Sequence, residues 1–257
     1  MSIKFIILGC GSSLGVPRPD GFFGNCDPKN KKNYRTRCSA LINFNDQNIL
    51  IDTSPDLRQQ LLANNIKSID HVLYTHLHAD KKHGINDLRV FFLKKKMKTP
   101  VYADKKTKNF LLSTFRYCFV ATNEYPAILE FKKFKKELNF RHKNEEISII
   151  NVPVKHGLIN SLCYIINKKL AYASDINLIY KKDLKLFHNL EFLVIDCLRF
   201  KPHPSHYNLD QILDLVKIIK PKQTVLTNML TDFDYNKLKK KLPINIVPGY
   251  DGLTLKL

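Results

Sequence analysis

Acidic residues are scarce in this chain. Its 257 residues carry 23 Asp and Glu against 42 Lys and Arg, a formal net charge of +19. Such an imbalance favours polyanionic partners, among them nucleic acid and nucleotides. The excess is mostly Lys, gathered at positions 94–96, 132–133, 135–136 and 239–241. Compositional drift onto solvated faces is therefore the competing explanation.

Long apolar runs are missing as well. None approaches the ~20 residues of a membrane span, so no membrane partner is expected. The amino-terminal stretch from Met1 to Cys10 runs directly into glycine. It reads as a first strand and not as an export leader, which places the protein in the cytoplasm. The six cysteines, at 10, 26, 38, 118, 163 and 197, form no Cys-x-x-Cys pair. That excludes a cysteine-rich zinc knuckle and makes free thiols the expectation, with Cys10, Cys163 and Cys197 as small core residues. The glycine-rich stretch from Gly9 to Pro17 is neither Gly-x-Gly-x-x-Gly opening a helix nor a Lys-Ser/Thr phosphate loop, so no dinucleotide site is read there. Ser174 and Ser205 lie near acidic and histidine residues, but neither sits on a strained nucleophile turn, and a serine triad is not expected.

What is present is enough apolar content, 44%, for one sizeable core, and a single domain over residues 1–257 is the simplest count. Apolar runs recur as strands: 3–8, a hairpin over 39–44 and 48–52, 72–74, 101–103, 146–154, 162–166, 169–173, 192–195 and 224–226. Between them the pattern predicts helices over about 56–64, 84–95, 105–118, 208–220 and 234–241. Residues 120–146 show Lys and Phe without a clear period. Several strands end in a polar residue of catalytic type: Asp52, His76, His156, Asp175, Asp196 and Asn228. A site along one edge of a β-core follows, within an α/β chain layered as a four-layer αββα sandwich.

The densest such strand end is Val72-Leu-Tyr-Thr-His-Leu-His-Ala-Asp80. Alternate residues of an extended chain point to one side, so His76, His78 and Asp80 leave the strand together. Two imidazoles and a carboxylate suit Zn²⁺, Mn²⁺ or Fe.

Thr75-His-Leu-His-Ala-Asp80, His156-Gly157, Tyr172-Ala-Ser-Asp175 and Asp251-Gly252 resemble the metallo-β-lactamase fold superfamily. Gly9-x-Gly11, Gly15-Val-Pro17, the stretch from His83 to Arg89 and His203-Pro-Ser-His206 resemble a narrower group: the phosphoribosyl cyclic phosphate diesterases, related to tRNA 3′-processing nucleases. The resemblance covers essentially the whole chain. It implies the αββα fold and a two-metal hydrolase acting through a metal-bound hydroxide on a small cyclic or nucleotide-like phosphodiester, often as a homodimer. His76, His78 and His156 would hold a first ion, zinc. Asp175 would bridge to a second, manganese, which would take Asp80 and two histidines. His206 would donate a proton or contact phosphate, and Asp80 would orient the hydroxide.

The sequence departs from that pattern at the second ion. Lys81 stands where a histidine should follow Asp80, and Asn228-Met-Leu230 lacks the final histidine. The cysteine cluster that some relatives use for structural zinc is reduced to Cys26. Lys81 could point to solvent, or its ammonium could sit between Asp80 and Asp175. Three readings stay open: a one-metal phosphodiesterase, a two-metal enzyme with a rebuilt second site, and an impaired relative that binds nucleic acid or other anions through its basic surface.

Overall fold

The computed structural model describes residues 3–257. The first half runs β1 (Ile3–Gly9), β2 (Ser39–Phe44), β3 (Gln47–Ile51), α1 (Leu57–Ala63), β4 (His71–Leu73), α2 (Arg89–Lys95), β5 (Thr99–Tyr102), α3 (Lys105–Thr114), α4 (Arg116–Phe119) and β6 (Leu129–Phe131). The second half runs β7 (Glu137–His142), β8 (Glu145–His156), β9 (Ile159–Ile166), β10 (Leu170–Ala173), β11 (Phe192–Asp196), α5 (Leu209–Ile219), β12 (Gln223–Thr227), α6 (Tyr235–Lys241), β13 (Ile246–Pro248) and β14 (Thr254–Lys256).

The strands form two seven-stranded sheets, ordered β14-β1-β2-β3-β4-β5-β6 and β13-β12-β11-β10-β9-β8-β7. Each is mixed. Strands β3 to β6 and β10 to β13 pair in parallel, and the remaining pairs are antiparallel. The parallel pairs need crossovers; α1, α2, α3, α5 and α6 lie in five of them, and the 3-10 turn Lys181–Phe187 lies in the sixth, between β10 and β11.

Period-two alternation sorts the first sheet's side chains. Ile3, Phe5, Ile7, Ala40, Ile42, Phe44, Ile49 and Ile51 enter one apolar cluster with the second sheet. Leu8, Leu41, Leu50 and Val72 face the other way, against Leu57 and Leu61 of α1, Phe91 of α2 and Leu111 of α3. Burial on both faces explains the near-continuous apolar runs. Helix α5 is bounded as its sequence asks: Asn208 and Gln211 form a capping box, and Ile212, Val216 and Ile219 are buried.

Some local expectations change. The helix expected from Gly84 begins as a 3-10 turn, Ile85–Leu88, before α2. The stretch without clear period becomes β6, β7 and the start of β8. In β7 Leu138 and Phe140 are buried while Glu137, Asn139 and Arg141 are exposed, an alternation that the surrounding lysines obscure. His71 packs at 4.7 Å from Phe140 and 6.0 Å from Tyr102 between ring centroids. Burial lowers its pKa to about 4.

The loop before β2 is anchored by hydrogen bonds. Asp251 accepts from the backbone N–H of Cys10 and Thr36 and from the Thr36 hydroxyl. The buried Arg35 guanidinium donates to the carbonyls of Phe233 and Leu230 and to Asn33 Oδ1, beside Cys26 Sγ at 3.9 Å. All six cysteines are free and buried.

Candidate metal centre

The centre forms where β4, β8, β10 and β11 end. Asp52, just past β3, accepts from the backbone N–H and hydroxyl of Thr75, both at 2.8 Å. With its only proton given to Asp52, the Thr75 hydroxyl accepts from His76 Nδ1–H at 3.0 Å. That leaves His76 Nε2 as a bare lone pair. His156 closes β8, and its Nδ1–H donates to the Ser205 carbonyl at 2.7 Å, which frees its Nε2 in the same way. Gly157 makes this approach possible. It sits at φ +59°, where a Cβ would also stand 2.8 Å from Ser205 Cβ.

The freed nitrogens converge. His78 Nδ1 lies 3.0 Å from His76 Nε2 and 3.3 Å from His156 Nε2. Tetrahedral zinc with ordinary Zn–N bonds separates its ligand nitrogens by about 3.3 Å. Burial lowers the pKa of His76, His78 and His156, so all three rings offer lone pairs and not charge. Lone pairs aimed at one point, with the His76 ring held by Thr75 and the His156 ring by the Ser205 carbonyl, fit a bound cation. Asp175 Oδ1 stands 3.9 Å from His156 Nε2, at the edge of this cluster.

The other oxygen of Asp175 faces away. Oδ2 pairs with Lys81 Nζ at 2.8 Å, and the same ammonium pairs with Asp80 Oδ2 at 2.9 Å. The Lys81 side chain is 0% exposed. Burial alone would lower the lysine pKa; Asp175 and Asp80 reverse this and hold it well above the usual value. Burial alone would raise Asp175, but Lys81, with His76, His156 and His206, keeps it well below the carboxylate range. The turn carrying Lys81 is fixed to the segment just past β3: Thr53 N–H donates to the Lys81 carbonyl at 2.8 Å and Gly84 N–H to the Thr53 carbonyl at 3.0 Å. Only glycine allows that fit, because a Cβ at residue 84 would lie 2.0 Å from the Ser54 carbonyl.

A cavity of about 290 Å³ opens over these groups, lined in part by Ser12, His78, Asp80, Asp175, His203 and His206. His206 Nδ1–H donates to Asp196 Oδ2 at 2.6 Å. Burial opposes its protonation, yet Asp196 raises its pKa overall. Asn228 Nδ2 donates to Asp196 Oδ1 at 3.2 Å.

The structure thus gathers His76, His78 and His156 into one potential ligand group and His156, Asp175 and His206 into another. Asp80 lies outside both, tied to Lys81. His83 is exposed and packs edge-on at 5.5 Å from Phe115, away from the cluster. Ser12 to Leu14, in the glycine-rich stretch after β1, line the rim of the cavity. Sequence reading missed Ser205, whose contribution is a backbone carbonyl that no residue identity reveals. It also missed Thr75, although its place beside His76 was a usable signal.

Comparison with known proteins gives a family model described as Beta-lactamase superfamily domain, which matches residues 47–229. A curated relative named octanoyltransferase, from Porphyromonas gingivalis (strain ATCC BAA-308 / W83), is 31% identical over 98% of this chain and 51% of that protein. The chain therefore spans about half the length of the curated relative it matches. Among solved structures, a diphosphatase from the PhnP family aligns at TM-score 0.88 and 30% identity, covering 100% of this chain and 98% of that one. Zn²⁺-bound PqqB from Methylobacterium extorquens aligns at TM-score 0.76 and 18% identity over 99% of this chain and 100% of its own. The short form of human tRNase Z aligns at 0.66 and 15% over 98% of each. The last two share the fold.

Proposed function

The chain belongs to the β-lactamase superfamily, and from that premise we propose that it is a one-metal phosphodiesterase acting on a small cyclic or nucleotide-like phosphodiester in the cytoplasm. The observation that carries this is the convergence of the His76, His78 and His156 ring nitrogens beside a polar cavity, with Asp175 and His206 gathered around His156 at its edge. A nitrogen-rich set of that kind suits zinc. His76, His78, His156 and Asp175 would hold the ion, which supplies Lewis-acid polarisation of the phosphoryl group.

The chain's own residues provide the rest. His206, with Nδ1 committed to Asp196, keeps Nε2 as the proton-bearing atom for the leaving oxygen. Asp80 keeps Oδ1 free to accept from the attacking water while Lys81 fixes Oδ2. The cavity volume limits the bound portion of the substrate to a small group. Likeness to a diphosphatase supports a phosphorus–oxygen bond as the target.

The test is metal analysis of purified protein with hydrolysis of bis(p-nitrophenyl) phosphate. About one equivalent and a chelator-sensitive rate are expected. Undiminished hydrolysis by metal-free protein sinks the proposal. A second reading, binding of nucleic acid, draws on the +19 charge and on lysine clusters that are all solvent-exposed. It requires retention that falls steeply with salt and ignores His76→Ala.

A further inference from the structure

A two-metal centre would need a second ion between Asp80 and Asp175, and the residues present do not fit one. Lys81 Nζ already occupies that position, within 2.9 Å of one carboxylate and 2.8 Å of the other. An ammonium has no lone pair to share with a metal, and a divalent cation beside it would meet like charge at contact distance. Neither Asn228 nor His83 supplies a ligand there. Asn228 gives its amide to Asp196, and His83 is turned toward Phe115.

We propose that the Lys81 ammonium permanently replaces the second metal ion, a built-in cation that positions Asp80 and Asp175 and limits the centre to a single exchangeable metal. Three observations support this together. The side chain is wholly buried, yet it ends between two carboxylates, which is where a buried cation is tolerated. Asp175 divides its oxygens, Oδ2 toward Lys81 and Oδ1 toward the histidines, as a carboxylate bridging two cations does. The backbone of Lys81 is tied to Thr53, so the ammonium is delivered by a fixed turn and not by a mobile surface arm.

The exchange has a consequence. A bound ion can leave; a lysine cannot. The carboxylate half of the centre is therefore complete before any metal arrives, and the metal-free protein does not carry two uncompensated buried charges. In this role Lys81 is a positioning residue, since it does not line the cavity. The inference rests on the one-metal reading only in assigning the first ion to the histidines.

Elemental analysis and thermal unfolding of the full chain test it. Wild-type protein loaded with Zn²⁺ or Mn²⁺ should hold about one equivalent. Lys81→His combined with Asn228→His should raise this toward two. Lys81→Met should lower the metal-free Tm by roughly 10 °C, with recovery on adding Mn²⁺ or Mg²⁺. Should Lys81→Met be recoverable only in the presence of Mn²⁺, that dependence is the same expected result. Two equivalents in the wild type, or a Lys81→Met protein with unchanged metal-free Tm and no response to cations, overturns the inference. A wild type that takes no metal overturns the phosphodiesterase proposal instead, and the Lys81→Met Tm still decides the role of Lys81.

Discussion

The histidine half of the centre and its carboxylate half meet at Asp175, yet they are finished differently. On one side, His76, His78 and His156 present neutral lone pairs with no cation of the chain's own among them. On the other, Asp80 and Asp175 close on Lys81. Neutral donors withdrawn from water cost little when empty, so the histidine half can wait for an ion. Two carboxylates within reach of one point cannot, because their mutual repulsion and lost hydration would be severe without a counter-charge. An external ion or an internal ammonium both meet that need, and this chain uses the ammonium.

The largest expected effect breaks the histidine half. His76→Ala should abolish metal uptake and reduce phosphodiester hydrolysis at least ~10³-fold, as removal of a metal with its Lewis-acid function would. Full metal content in that variant would dissolve the distinction between the halves. Next, His206→Gln should lower kcat ~10²- to 10³-fold, the usual scale for loss of a proton donor, while metal content stays at the wild-type value. An unchanged kcat would remove His206 from the chemistry; lost metal would make it a ligand, as its place beside His156 and Asp175 permits.

A third measurement separates scaffold from centre. His71 has a folded pKa of about 4 against an ordinary 6.5. Between those values the unfolded chain takes up a proton that the folded chain refuses. Stability is therefore complete above pH 6.5 and falls as the pH drops toward 4, by about 2–3 kcal/mol. Chemical denaturation across that window should show the loss, and His71→Phe, which keeps the ring contacts, should flatten it. An equal slope in the variant would assign the effect elsewhere. The smallest effect is expected from Asn228→His alone. With Lys81 still in place, metal content by elemental analysis should not change, and a second equivalent would show that Lys81 does not exclude an ion.

Much of this was legible beforehand because it depends on local pattern. The strand-end residues 52, 76, 156, 175, 196 and 228 all lie in or beside one another's hydrogen-bond networks. Strands β6 and β7 were harder to find. Their pairing is set by neighbours in the sheet, and exposed lysines blur their alternation.

The sequence by itself indicated the layered αββα architecture, through recurring apolar runs and the family motifs, and the identity of the groups at the strand ends. It also showed that Lys81 stands where a ligand is expected. It left open where that side chain points. A lysine has four rotatable carbons and can reach either solvent or the interior, and the choice rests on two carboxylates 95 residues apart in sequence, Asp80 and Asp175. Only the fold brings them within 3 Å of one ammonium. Because the strength of charge pairing depends on distance and on exclusion of water, tertiary structure alone made Lys81 part of the centre.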